Sequence, residues 1–327
     1  MSVLYLITSH RDPDQVLRLA RTLRRGSPGS AIAIHHDRSR STLDPAPFQE
    51  MDDVYLLPFS VPVEWGGMSI VEMNLRSFRW VLRHLEFDWL ILLSGQDYPI
   101  RPLHEIEAAL RSADHDGFLE APAEVSDRIA VPDPSRIRYS FAFRYFYRYV
   151  TLPRWPRNVP PRVRRPMSAA LWKVLPRVQD VVFLHPMPAG ERARLGFRRL
   201  RTPFTESFRC YKASPWFTLR WRAVERLAVI GPREQSLWRY YRRTAIPDES
   251  YFQTILFNDR SFRFHPDNMV FSKWNPGSGS PEVLTRADVP ELVRSGKFFA
   301  RKFDVTVDPA TLDDVDRFLF PEAPAPG

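Results

Sequence analysis

Strands and helices alternate through the first third of the chain, and that rhythm limits the fold more than any other feature. Val3 to Thr8 is an apolar, β-branched run, and Asp14 to Arg25 carries Val16, Leu19 and Leu23 at helical spacing before Gly26 and Pro28 stop it. Ala31 to His35 and Val54 to Pro58 predict two more strands and Ser69 to His84 a second helix. Trp89 to Ser94 is apolar enough for a strand covered on both faces. This alternation predicts an α/β fold with a mostly parallel central sheet flanked by helices. In such sheets ligands bind beyond the carboxyl ends of the strands.

The residues at those ends are polar. The first strand runs into Ser9-His10-Arg11, the second into His36-Asp37, and the strand from Trp89 into Ser94-Gly95-Gln96-Asp97-Tyr98-Pro99. Each also has an ordinary structural use: His10 bonding a loop, Asp37 capping, Asp97 ordering the turn before Pro99. Far downstream, Ile246-Pro247-Asp248-Glu249-Ser250-Tyr251-Phe252 sets two carboxylates after a proline and before an aromatic run. That is how a helix begins, with acids near the positive end of its dipole. It is also how a carboxylate is held at a pocket mouth to take a proton from a hydroxyl. Asp248 suits the cap and Glu249 the base.

The net charge of +9 is carried by arginine, since lysine occurs only at 173, 212, 273, 297 and 302. A basic surface attracts nucleic acid, acidic lipid or a phosphorylated small molecule, and charge does not choose among them. Cys210 is the only cysteine, which excludes an intrachain disulfide and a cysteine-rich metal site. No window has the length and apolarity of a membrane-spanning helix, and Met1 to Ile7 lacks a signal-peptide pattern, so a cytoplasmic protein is expected. A single domain is expected over residues 1–320, with a proline- and alanine-rich disordered tail at 321–327. Residues 121–204 differ in character, with prolines and arginines and the run Arg138 to Tyr149 of interleaved basic and aromatic residues. Such interleaving can bind single-stranded nucleic acid, but the aromatics are too dense for a known RNA-binding signature. A lid or insertion lining an acceptor groove explains them equally well.

Five blocks in order then resemble a known family. Val63-Glu64-Trp65-Gly66-Gly67-Met68-Ser69, Leu93-Ser94-Gly95-Gln96-Asp97-Tyr98-Pro99, Trp216-Phe217-Thr218-Leu219, Pro247-Asp248-Glu249-Ser250-Tyr251-Phe252 and Phe298-Phe299-Ala300-Arg301-Lys302-Phe303-Asp304 are similar to successive segments of the core-2/I-branching glycosyltransferases, which include the peptide O-xylosyltransferases and plant relatives. The resemblance implies a GT-A-type, Rossmann-like fold and an inverting transfer of N-acetylglucosamine or xylose. The donor would be a UDP-sugar, the acceptor a hydroxyl of a glycan or glycosylated small molecule. It places Glu249 as general base, His10 and Asp37 near the uridine, Asp97 on the sugar side and Lys302 on the diphosphate. Arg301 is a further candidate cation, and Trp216, Trp274 and Glu120 fall on the acceptor side. No cofactor and no divalent metal are implied, and 121–204 becomes a divergent acceptor-side insertion.

Elementary chemistry agrees with that scheme. One-step displacement at an anomeric carbon needs one base opposite the leaving group, and positive charge on the departing diphosphate from a metal or fixed cations. Asp12-Pro13-Asp14 has metal-binding spacing, but Asp14 reads as a helix N-cap; Asp313-Asp314-Val315-Asp316 reads as a solvated helix start. One departure stands out. Residues 277–285 lack the arginine that animal members place before the closing block, and Trp274-Asn275-Pro276-Gly277 is closer to plant-like relatives. Two rival readings follow: a catalytically silent carbohydrate-binding relative, or a basic-aromatic nucleic-acid binder.

Overall fold

The computed structural model describes residues 1–127, 141–152, 181–185, 193–275 and 278–321. A seven-stranded sheet runs through its centre. It is built from β1 (Val3–Ser9), β2 (Ala31–His36), β3 (Val54–Leu56), β4 (Trp89–Ser94), β6 (Gly117–Phe118), β12 (Thr218–Arg220) and β13 (Phe264–His265), in the order β13-β6-β12-β4-β1-β2-β3. Strands β3, β2, β1 and β4 are parallel neighbours; β12 alone runs antiparallel, between β4 and β6. The result is the α/β layout with a mostly parallel, Rossmann-like sheet flanked by helices that the GT-A resemblance implies.

The apolar runs of β1 and β4 reflect two cores, one on each face of the sheet. Leu4, Leu6, Leu90 and Leu92 point to the side covered by the helix Ser69–His84, where Val71, Leu75, Phe78 and Val81 form one helical stripe. Tyr5, Ile7, Ile91 and Leu93 point to the other, against Val16, Leu19, Ala20 and Leu23 of α1 (Pro13–Gly26). Each such side chain contributes roughly 1.5–3 kcal/mol when buried. A polar residue within either strand would therefore lack a wet face to occupy.

Smaller sheets frame the carboxyl edge. Beyond β4 the chain turns at Gly95, where a Cβ would lie 2.9 Å from Val16 Cγ2 and 3.1 Å from Ser9 Cβ, and enters β5 (Asp97–Pro99). Strand β5 pairs antiparallel with β15 (Phe299–Arg301), which pairs in parallel with β14 (Val270–Ser272). Residues 121–204 supply an antiparallel sheet of β8 (Tyr147–Thr151), β10 (Arg194–Arg198) and β9 (Val182–His185). Strand β7 (Ala123–Val125) pairs with β11 (Cys210–Lys212).

Several local expectations need correction. Tyr211 to Leu219, aromatic and strand-like in sequence, is not one strand: Ala213 to Phe217 leaves the sheet between β11 and β12. Asp14 lies in the first turn of α1, and Asp12 holds the N-cap position without a side-chain cap bond. Asp313, Asp314 and Asp316 lie inside the last helix, Ala310–Leu319, bonded to Arg18 and Arg286 rather than to water alone. Most of the aromatic run is not a stacking platform, because Phe143, Tyr145, Phe146, Tyr147 and Tyr149 are buried. The expected disordered tail falls, beyond Pro321, outside the described residues, as does much of 121–204.

Candidate active site

Glu249 closes a single 3₁₀ turn, Pro247–Glu249, from which the helix Tyr251–Phe257 continues. The turn is fixed from below. Ser250 Oγ donates to the Tyr211 carbonyl at 2.7 Å, Gln253 Nε2 donates to the Ser214 carbonyl at 2.8 Å, and the Glu249 carbonyl accepts the Ala213 N–H at 3.0 Å. At its entry Ile246 adopts φ 51°, ψ 55°, a left-handed conformation rare for a β-branched residue, and donates its N–H to the Gly66 carbonyl at 3.0 Å. Gly66 itself has φ 63°, which only glycine takes without strain.

Above the turn the Glu249 carboxylate stays partly open to solvent. Its Oε2 lies 2.6 Å from Arg144 Nη1 and 3.9 Å from Lys212 Nζ. Lys212 Nζ is also 3.7 Å from Glu120 Oε2, and Glu120 accepts the Ser214 N–H. Both cations lie 5.1 Å from the centre of the Phe141 ring. Glu120, expected on the acceptor side, and Glu249 thus share one cluster of alternating charge. Arg144 and Lys212 escaped the sequence reading. Arg144 sits in the aromatic run and Lys212 is one basic residue in a strand pattern, and only the tertiary fold carries them to Glu249.

Asp248 does not cap. Its carboxyl is buried and Oδ1 has no hydrogen-bond partner. Burial, reinforced by the neighbouring Glu249, pushes it from 3.8 up to about 7. Folding therefore favours the neutral acid: its contribution is complete below about pH 4 and is lost as the pH rises to about 7. Asp248→Asn is expected to melt close to the parent at about pH 4 and higher than it at about pH 8, by an amount on the order of a few kcal/mol. Thermal melts across that range check this; equal melting at both ends would contradict it.

At the carboxyl ends of β1 and β2 the expected donor residues meet. His10 is exposed, its carbonyl accepts the Ser41 hydroxyl at 3.0 Å, and desolvation together with Arg11 lowers its pKa. Asp37 is buried: Oδ1 accepts the Ser39 N–H and hydroxyl, and Oδ2 accepts the Val63 N–H at 2.8 Å. Against the upward push of burial, the bonds from Ser39 and Val63 hold its carboxyl below the usual value. Next to it, His35 Nε2 accepts the Val61 N–H at 3.0 Å, and burial depresses that imidazole to about 4, so it is neutral. A cavity of about 330 Å³ opens beside them, lined by His36, Arg38, Leu43 and Leu57 among others.

At the end of β4, Asp97 is 1% exposed and accepts the Ser94 N–H at 2.7 Å and hydroxyl at 2.8 Å. The β5–β15 register sets it opposite Arg301, whose Nε stands 3.1 Å from Asp97 Oδ1. The Arg301 guanidinium lies 4.3 Å above the Trp216 ring. Burial raises the Asp97 pKa, and Arg301 opposes that rise. Arg301 is therefore bound up with Asp97 and Trp216 rather than being a free cation, and Trp216 stands at the Asp97 end of the site. Lys302 Nζ donates to Ser280 Oγ at 2.7 Å; desolvation, then Arg301 and Arg11, lower its pKa. Arg11, at the end of the first strand, pairs with Asp12 and with Asp304, the latter at 2.7 Å. Trp274 is 54% exposed, its indole N–H on Ser272 Oγ at 3.0 Å.

The sequence profile of the Core-2/I-branching enzyme family matches residues 3–126 and 184–293, more than half of the chain. The chain belongs to that family. Every expected site residue of this Core-2/I-branching member lies in the matched segments except Arg301 and Lys302, which follow them. Among curated relatives, xylosyltransferase 2 of Rattus norvegicus is 25% identical over 296 residues, covering 84% of this chain and 28% of the relative. Xylosyltransferase 1 of Homo sapiens is 24% identical over 319 residues, covering 89% and 28%. The chain thus spans little more than a quarter of the length of these relatives. A solved structure of S. aureus TarS 1-349 with UDP-GlcNAc is 12% identical, with TM-score 0.28 over 46% of this chain and 40% of that one, an overlap too slight to argue from. Among the described residues no group of three or more His, Cys, Asp or Glu side chains is placed to hold a metal ion, and no helix is long and apolar enough to cross a membrane.

Proposed function

We propose that this chain is an inverting glycosyltransferase that moves a sugar from a UDP-sugar to a hydroxyl of a glycan or glycosylated small molecule. The observation that carries the proposal is Glu249, in the family's matched segment, held beside Arg144 and Lys212 with its carboxylate partly open to solvent. The acceptor oxygen attacks the anomeric carbon, the bond from that carbon to the UDP oxygen breaks, and Glu249 takes the acceptor's proton. The departing diphosphate gains negative charge, which in this scheme Lys302 offsets without a metal. Asp37 keeps the donor loop in shape through Ser39 and Val63, leaving the exposed His10 to meet the nucleotide. Asp97 and Arg301 form the floor on the sugar side, with Trp216 against them. Glu120, Lys212 and Trp274 face the acceptor. The transferred sugar is xylose or N-acetylglucosamine, the former favoured by the xylosyltransferase relatives, and the setting is the cytoplasm.

A screen of UDP-xylose, UDP-GlcNAc, UDP-glucuronate, UDP-glucose and UDP-galactose for UDP release, with and without EDTA, tests the proposal. One donor is expected to be consumed, at the same rate in chelator. Activity that collapses in EDTA and returns with Mn²⁺ would overturn the metal-free scheme. The close Arg144–Glu249 pair and the missing arginine at 277–285 favour one alternative, a carbohydrate-binding relative without turnover. Binding of a UDP-sugar with no UDP release from any donor would establish that alternative.

A further inference from the structure

The turn bearing Glu249 is gripped from the insertion. Arg194, in β10, is 5% exposed; its Nε finds no hydrogen-bond partner among the described residues, so the two bonds from its terminal nitrogens are what hold the buried guanidinium. Its Nη1 donates to the Gly66 carbonyl at 2.7 Å and its Nη2 to Glu64 Oε1 at 3.0 Å. The Gly66 carbonyl is the acceptor of the Ile246 N–H as well, so one oxygen joins Arg194 to the entry of the base turn with both lone pairs used. Ile246 sits in the left-handed region, which costs on the order of 1–3 kcal/mol and persists only where neighbours over-determine it. A second hold comes from β8 and the short helix Ala142–Tyr145 before it: Ala245 donates its N–H to the Arg144 carbonyl at 3.0 Å, and Tyr149 of β8 donates to the Arg243 carbonyl at 2.8 Å.

We propose that Arg194, acting through the Gly66 carbonyl, is a positioning residue for Glu249, so that the β8–β10–β9 sheet sets the aim of the base. Arg194 touches neither donor nor acceptor in this scheme. Its loss leaves the Gly66 carbonyl to the Ile246 N–H alone and lets Ile246 relax from its strained conformation, swinging Glu249 away from the attacking hydroxyl. The inference rests on Glu249 being the base, and the test separates the two claims.

Arg194→Ala, Arg194→Lys, Glu64→Gln and Glu249→Gln are compared by backbone amide exchange over residues 245–250 and by UDP release from UDP-xylose. In Arg194→Ala, exchange at Ile246 to Ser250 is expected to quicken about tenfold or more while other segments keep their protection. Turnover of UDP-xylose is expected to fall about 10²-fold with the KM for the donor little changed, the cost of a misplaced group. Arg194→Lys and added guanidinium are expected to restore part of it. Glu249→Gln is expected to keep full protection and lose turnover. Should Arg194→Ala fail to fold, Glu64→Gln, which keeps an oxygen acceptor but removes the charge that Arg194 pairs with at an exposed site, is expected to show a smaller quickening in the same residues. Parental exchange and turnover in both Arg194→Ala and Glu64→Gln would overturn the inference, as would equal loss of kcat and donor binding without rescue. Where UDP-xylose is not consumed by the parent, exchange alone decides. Parental turnover in Glu249→Gln would sink the base assignment, leaving the exchange result to judge the brace.

Discussion

Glu249→Gln is expected to lower sugar transfer about 10²–10⁴-fold, the range a positioned general base contributes, while UDP binds as before. The substitution keeps size and shape, so Arg144 still finds an oxygen acceptor and the turn keeps its bonds to Ala213 and Tyr211. What disappears is the ability to accept the hydroxyl's proton. Glu120 cannot take over, because it already accepts the Ser214 N–H and lies across Lys212 from Glu249. Asp248 cannot either, being buried and favoured in its neutral form. UDP release measured beside a calorimetric UDP titration separates the effects: lost turnover with parental UDP affinity supports the base, and parental turnover refutes it.

Arg301→Met is expected to cost about 3–5 kcal/mol of stability, the penalty for stripping one partner from a buried ion pair. Asp97 is almost fully buried, its acidity already weakened by desolvation, and Arg301 is the cation beside it. The Trp216 ring loses its guanidinium as well, a contact contributing about 0.5–2 kcal/mol. Melting should fall by roughly 5–10 °C. Adding Asp97→Asn should recover much of that loss, since no orphaned charge is left. Lys302→Ala offers the contrast: its ammonium reaches only the Ser280 hydroxyl among described side chains, so melting should move by less than about 0.5 kcal/mol while turnover drops. Thermal melts of the single and double variants check the set. Unchanged melting of Arg301→Met would mean that the pair is not holding the floor of the site.

Periodicity made the sheet readable. Ser69 to His84 and Trp89 to Ser94 carry patterns strong enough to give their boundaries, because a helix stripe and a doubly covered strand each leave a distinct spacing. The residues at strand ends were readable for the same reason. Glu249 could be singled out by the order of family blocks, but not its surroundings. The Arg301–Asp97 pair comes from an antiparallel register between residues about two hundred positions apart, and Arg194 reaches Gly66 across 128 positions. No local pattern records such pairings. Pro215 marked a break in Tyr211 to Leu219 that β-branched and aromatic neighbours masked. Asp248 looked like a cap because its chemistry and place fit one, yet the Ile246 conformation turns its carboxyl inward instead.

The stereochemistry of the first-formed product tests the central claim most directly. Displacement by one base on the face opposite the diphosphate inverts the anomeric carbon. Proton NMR of the initial product formed from a UDP-α-sugar should show the β-anomer alone, and an α-anomer would contradict a one-step transfer driven by Glu249.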